Sequence, residues 1–173
     1  MGLLIWQDGK MGTLDDIFSV RQQNFAFDNF LYSAYEAYAS SVLAEDPVLQ
    51  EHLLQSAEED FAFAWKKFSE DGYDRFVQPY EHTYNTSRSQ FQATVALAAS
   101  RLYSLTGKEE YLKRASDAIG YVISCQRRDP VGGMRGFFYR DESLRSIVHY
   151  IHQSREQVYA EALVSMCRTF PDH

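Results

Sequence analysis

Apolar positions recur three and four residues apart along most of this chain, the spacing of helices with one buried face. Leu31, Ala34, Tyr35, Tyr38, Val42 and Leu43 mark one such helix, opened by Asp28 as a cap. Leu53, Leu54, Ala57, Phe61, Ala62, Trp65 and Phe68 mark the next. Asp46-Pro47 separates the two, a capping side chain followed by a proline at the first helical position. A second pair follows, carried by Phe91, Val95, Ala98, Ala99, Leu102 and Tyr103, then by Tyr111, Leu112, Ala115, Ala118, Ile119 and Ile123. Gly107 is the stop signal between them. Ser154 caps a last helix from Arg155 to about Thr169, apolar at Val158, Ala160, Ala162, Leu163 and Met166, and Thr13 opens a short leading helix to about Asn24.

The two pairs repeat one plan. Ala39-Ser40 corresponds to Ala99-Ser100 and Leu54 with Ala57 to Leu112 with Ala115, at offsets of about 60 and 58 residues. Repetition at that scale predicts stacked or toroidal helical hairpins. The expected class is all-α: one domain over residues 1–173, with antiparallel hairpins at about 28–68 and 88–126 and half a hairpin at about 154–170. The polar, aromatic connector from Ser69 to Arg88 is long for a compact domain, and loops of that length often carry function. Gly136-Phe137-Phe138-Tyr139 has the look of a short extended segment.

Composition changes this picture in three ways. Tyr, Phe and Trp make up 15% of the chain, and such rings either fill gaps between helices or line clefts and interfaces. A net charge of −7 lacks the basic footprint of a nucleic-acid binder. No apolar run approaches the ~20 residues of a membrane span, so neither nucleic acid nor membrane is expected as a partner. Cys125 and Cys167 lie within apolar helices without metal spacing and are expected as buried free thiols. Met1 to Ile5 is too short and uncharged for a signal peptide. A secreted or periplasmic parent would therefore have lost its leader, and the unpaired last helix before Phe170-Pro171-Asp172-His173 is expected to mark a truncation.

The densest polar group precedes the last helix: Arg135, Tyr139, Arg140, Asp141, Glu142, Arg145, His149, His152, Arg155 and Glu156. Residues just before a helix meet its unpaired amides and the positive end of its dipole, which favour anions and polar ligands. Ion pairs that fix the loop, a substrate cleft, and a metal held by His149 and His152 are the three readings. The metal lacks a third donor of known placement, so neither metal nor cofactor is expected. Asp15-Asp16 and Glu58-Glu59-Asp60 are neighbours on helices and cannot face each other as an acid–base pair across a bond.

The string Leu102-Tyr103-Ser104-Leu105-Thr106-Gly107-Lys108-Glu109-Glu110-Tyr111-Leu112, followed by Ala115, resembles a recurring phrase of the six-hairpin (α/α)-toroid glycosidases. Gly136 to Glu142, Ile147-Val148-His149-Tyr150, Arg155-Glu156-Gln157 and Phe170-Pro171-Asp172 are similar to bacterial relatives of the family-nine glycoside hydrolases. The resemblance implies a partial (α/α) toroid from a glycosidase-like protein acting on polysaccharide or oligosaccharide. It implies that Tyr139, His149, His152 and Arg155 line the cleft. That family's Asp-Ala-Gly-Asp base motif and its late acidic residue are absent, so no catalytic residue carries over, and the chain by itself is expected to be inactive. A helical-repeat protein-interaction module with a concave aromatic surface is the rival reading. Open half-toroid edges would expose apolar helix faces, so self-association is expected of a fragment.

Overall fold

The computed structural model describes residues 25–43, 45–74, 87–129, 132–147 and 157–170. It is all-helical among them: α1 (Ala26–Val42), α2 (Pro47–Asp71), α3 (Arg88–Thr106), α4 (Glu109–Ser124) and α5 (Gln157–Thr169). The expected leading helix over residues 13–24 lies outside the described residues.

Helices α1, α3 and α5 form a central row, with α2 backing α1 and α4 backing α3. The row is parallel. Near the helix starts, Phe27 of α1 meets Phe91 of α3, and Ser89 of α3 meets Tyr159 of α5. Further along, Arg101 late in α3 reaches back to the Ala34 carbonyl at the middle of α1, and Tyr103 near the end of α3 meets Phe170 just past α5. Within the first hairpin the direction reverses, since Ser40 late in α1 exchanges two hydrogen bonds with Gln50 early in α2, both 2.9 Å. This is part of an (α/α) toroid, and the repeat read from the sequence corresponds to one inner and one outer helix.

Burial follows from these positions. Twelve of the nineteen residues of α3 are buried, against three of twenty-five in α2. A helix flanked on both sides and backed by a third must be apolar or small all round. The run Ala93-Thr94-Val95-Ala96-Leu97-Ala98-Ala99-Ser100 meets that demand, and its small side chains let neighbouring helices approach closely. Large rings fill what remains: Phe30 meets Phe61 at 5.2 Å and Phe91 at 5.7 Å, Phe61 meets Tyr111 at 5.2 Å, and Phe68 meets Phe91 at 4.9 Å. Burying each such side chain contributes about 1.5–3 kcal/mol.

Three expectations are corrected. The buried stripe of α1 is Ala26, Phe27, Phe30, Ala34 and Ala37, whereas Tyr35, Tyr38, Val42 and Leu43 are exposed. A helix that packs on two neighbours buries its small residues, and tyrosine's polar tip keeps it at the surface. Asp28 sits in the first turn of α1 instead of capping it. Cys125 is buried but Cys167 is exposed, both as free thiols.

Candidate functional site

The short links from α1 to α2 and from α3 to α4 leave the inner row at its C-terminal end. The described parts of the two long connections, residues 72–74 and 87 before α3 and 125–129 and 132–147 after α4, meet its N-terminal end, where α1 and α3 begin. Loop length and amide-rich helix starts therefore coincide at one end of the molecule.

The starts of α1 and α3 are capped there by connector residues. The carboxylate of Asp74 accepts from the amides of Ala26 (3.0 Å) and Phe27 (2.8 Å). Ser87 and Gln90 form a reciprocal capping box on α3, each side chain 3.1 Å from the other's amide nitrogen. This satisfies donors that a helix start otherwise leaves unpaired.

The segment after α4 folds back on itself. Arg127 donates its amide to the Phe137 carbonyl (2.9 Å), Gly136 to that of Arg127 (2.8 Å), Tyr139 to that of Cys125 (2.8 Å) and Arg140 to that of Ser146 (2.7 Å). Among the described residues, two isolated bridges, Gln126 with Phe138 and Tyr139 with Ile147, are the extended pairing that the Gly136–Tyr139 phrase makes. Gly136 has φ 86°, a left-handed conformation that glycine adopts without the Cβ penalty.

A set of hydroxyls fastens this segment to α3 and α5. Ser89 donates its hydroxyl to the Tyr139 carbonyl (2.7 Å) and its amide to the Arg140 carbonyl (3.0 Å). A serine hydroxyl has a single proton. Since that of Ser89 is committed to a carbonyl, the 2.6 Å contact with Tyr159 must be a donation from the tyrosine. Ser87 lies 3.1 Å from Ser89 and 3.3 Å from Tyr159. The Tyr159 ring stacks on Phe138 with centroids 4.2 Å apart and planes 3° from parallel.

Charges gather on the outer side of the same segment. Glu142 pairs with Arg88 at 3.2 Å and accepts from the Tyr121 hydroxyl. The Arg88 guanidinium lies 5.3 Å from the Tyr73 ring centroid. The Tyr121 hydrogen bond holds the Glu142 carboxyl below its ordinary range. Hydrogen bonds from the hydroxyl and amide of Ser143 do the same for Asp141. Burial first, then the bond to Glu142, pushes the Tyr121 phenol upward.

Of the four residues expected to line a cleft, Tyr139 is described. It is half-buried at this end, 5.4 Å from Phe137 between ring centroids. His149, His152 and Arg155 lie outside the described residues. Sequence reasoning missed Asp74, Ser87, Ser89, Tyr121 and Tyr159. Only Ser87 carried a local signal, its capping-box spacing to Gln90. Among the described residues there is no group of three His, Cys, Asp or Glu side chains that could hold a metal ion. No described helix is long and apolar enough to cross a membrane.

Compared with known proteins, the chain matches the family model described as Glycosyl hydrolase family 9 over residues 26–157. Neither a curated protein nor a solved structure gives a match.

Proposed function

The chain belongs to glycosyl hydrolase family 9, and on that premise we propose that its loop-bearing end binds a polysaccharide or oligosaccharide. The observation that carries this reading is the family match itself, which runs through α1–α4 and the folded-back segment. It does not favour the interaction-module reading. Tyr139 is proposed as a lining residue with an aromatic face for a sugar ring, and His149, His152 and Arg155 as its polar companions.

Catalysis is not assigned to the carboxylates of the folded-back segment. Glycoside hydrolysis needs a protonated acid facing a second carboxyl, roughly 5–9.5 Å away. Asp141 and Glu142 are sequence neighbours, and both are held below the ordinary carboxylate range, so neither keeps a proton near neutral pH for use as a general acid. The single domain proposed over residues 1–173 is accordingly expected to bind saccharide without cleaving it.

Calorimetric titration with neutral hexasaccharides tests the binding, with Tyr139→Ala expected to weaken it at least tenfold. Unchanged affinity would remove Tyr139 from the site, and measurable turnover on a glycan panel would overturn the proposed inactivity. Exposed Tyr32, Val42 and Val48, at 58%, 58% and 79%, supply faces for self-association. A concentration-independent monomer by light scattering would refute that part.

A further inference from the structure

Away from the loop-bearing end, Arg101 of α3 organises a second assembly of rings and polar groups. It donates to the Ala34 carbonyl at 3.0 Å and lies 3.5 Å from the Glu161 carboxylate of α5. Its guanidinium sits 5.3 Å from the Tyr35 ring centroid and 5.1 Å from that of Tyr38. The Tyr35 hydroxyl closes the circuit by donating to Glu161 at 3.1 Å. These groups line an open groove of about 580 Å³ between α1, α3 and α5, which also takes in Ser104, Arg168 and Thr169. That size lies within the usual range of small-molecule sites, about 300–1,000 Å³.

Three observations select the occupant. Tyr35 and Tyr38 are 45% and 52% exposed, with rings held in place by the arginine, so a flat apolar ligand face has a rigid platform on which to stack. The groove lies along the C-terminal halves of three parallel helices, and a helix's last carbonyls are hydrogen-bond acceptors at the negative end of its dipole. Such a wall favours hydroxyl donors and disfavours anions. The groove's formal charges are two arginines against one carboxylate: Arg101 pairs with Glu161, and Arg168 in the last turn of α5 is offset by the nearby helix C-termini, each equivalent to about half a negative charge. A groove so offset, in a chain of net charge −7, suits an uncharged polyhydroxylated ligand.

We propose that this groove is a second saccharide-binding site, taking a neutral oligosaccharide with a pyranose ring on Tyr38 and its hydroxyls on the surrounding carboxylate, hydroxyl and carbonyl acceptors. The proposal rests on the reading that the protein binds saccharide, but at the opposite end of the inner row from Tyr139.

The test is calorimetric titration of the full chain with α-1,4- and β-1,4-linked glucohexaoses, using hexagalacturonate as the anionic comparison. Two sites are expected for at least one neutral hexaose. Tyr38→Ala should remove one, Tyr139→Ala the other, and the double variant both. Tyr38→Phe should retain the groove site because it keeps the ring. Hexagalacturonate should bind the groove at least tenfold more weakly than the neutral probe. A single site lost in Tyr139→Ala and untouched by Tyr38→Ala overturns the groove and keeps the loop-end reading. A single site lost only in Tyr38→Ala does the reverse. No binding of any probe overturns both, and preferential binding of hexagalacturonate at the groove overturns the assignment to a neutral ligand.

Discussion

Replacing Ser89 with alanine tests whether buried hydroxyls hold the folded-back segment onto the inner row. The Ser89 side chain gives its proton to the Tyr139 carbonyl at 2.7 Å and receives that of Tyr159 at 2.6 Å. A hydrogen bond contributes about 0.5–1.5 kcal/mol net, and stranding a buried partner costs about 1–3 kcal/mol. Tyr159 keeps Ser87 within reach at 3.3 Å, so the Tyr139 carbonyl is the group most exposed to the loss. A destabilisation of about 1–3 kcal/mol is therefore expected from urea denaturation, a fall in Tm of about 2–4 °C per kcal/mol for a domain of this size. Tyr159→Phe keeps the stack on Phe138 and should cost less, about 0.5–1.5 kcal/mol. Because the two substitutions remove opposite ends of one bond, a double-mutant cycle should return a coupling of at least about 0.5 kcal/mol. Faster exchange of the Tyr139 amide, bonded to the Cys125 carbonyl, should report the loosening locally. Wild-type stability in Ser89→Ala together with an additive cycle would refute the reasoning.

Three further outcomes follow from the same geometry. Glu142 is depressed below its ordinary value of 4.5, so its clamp is intact above about that pH and lost as pH falls through the lower folded-state value. Protection factors across residues 137–147, taken relative to the intrinsic exchange rate at each pH, should therefore fall in acid, and less so in Glu142→Gln. Glu36 is raised, first by burial and then by Asp60, and among the described residues its buried Oε2 has no hydrogen-bond partner. A raised carboxyl stabilises below its unfolded pKa and loses that contribution as pH rises through the folded one, so Glu36→Gln should raise Tm at pH 7 and have little effect at pH 4. Gly107 closes α3 at φ 65°, and Gly107→Ala should cost about 1–2 kcal/mol by chemical denaturation, with Gly107→Asn milder.

The helices were legible because their causes are local. Pro47 after Asp46 opens α2, with the Asp46 carboxylate 3.0 Å from the Leu49 amide, and left-handed Gly107 ends α3. The choice of face was less legible. Periodicity grouped Tyr35 and Tyr38 with Ala34, but it cannot say which of two adjacent stripes meets a neighbour and which meets solvent. Least legible was the fastening at the loop-bearing end. Ser89 and Tyr159 are 70 residues apart, and nothing around either marks it as half of a hydrogen bond. Asp74 is similar: its role at Ala26 spans 48 residues and exists only because the outer helix returns the chain to the start of α1.

The parallel row also decides what each end can do. Where α1, α3 and α5 begin, the free backbone groups are donors, and the chain supplies acceptors: Asp74 on α1 and Ser87 on α3. Where they finish, the free groups are carbonyls, and the next amide closes one on each helix: Leu43 on Ala39, Gly107 on Tyr103 and Phe170 on Met166. Two sites at these ends would present opposite hydrogen-bonding polarity to the same class of ligand. A sugar hydroxyl both donates and accepts, so a neutral saccharide suits either end, whereas an anion suits only the first. Relative affinity for neutral and carboxylated sugars at each end is therefore a direct measurement of helix direction expressed as binding specificity.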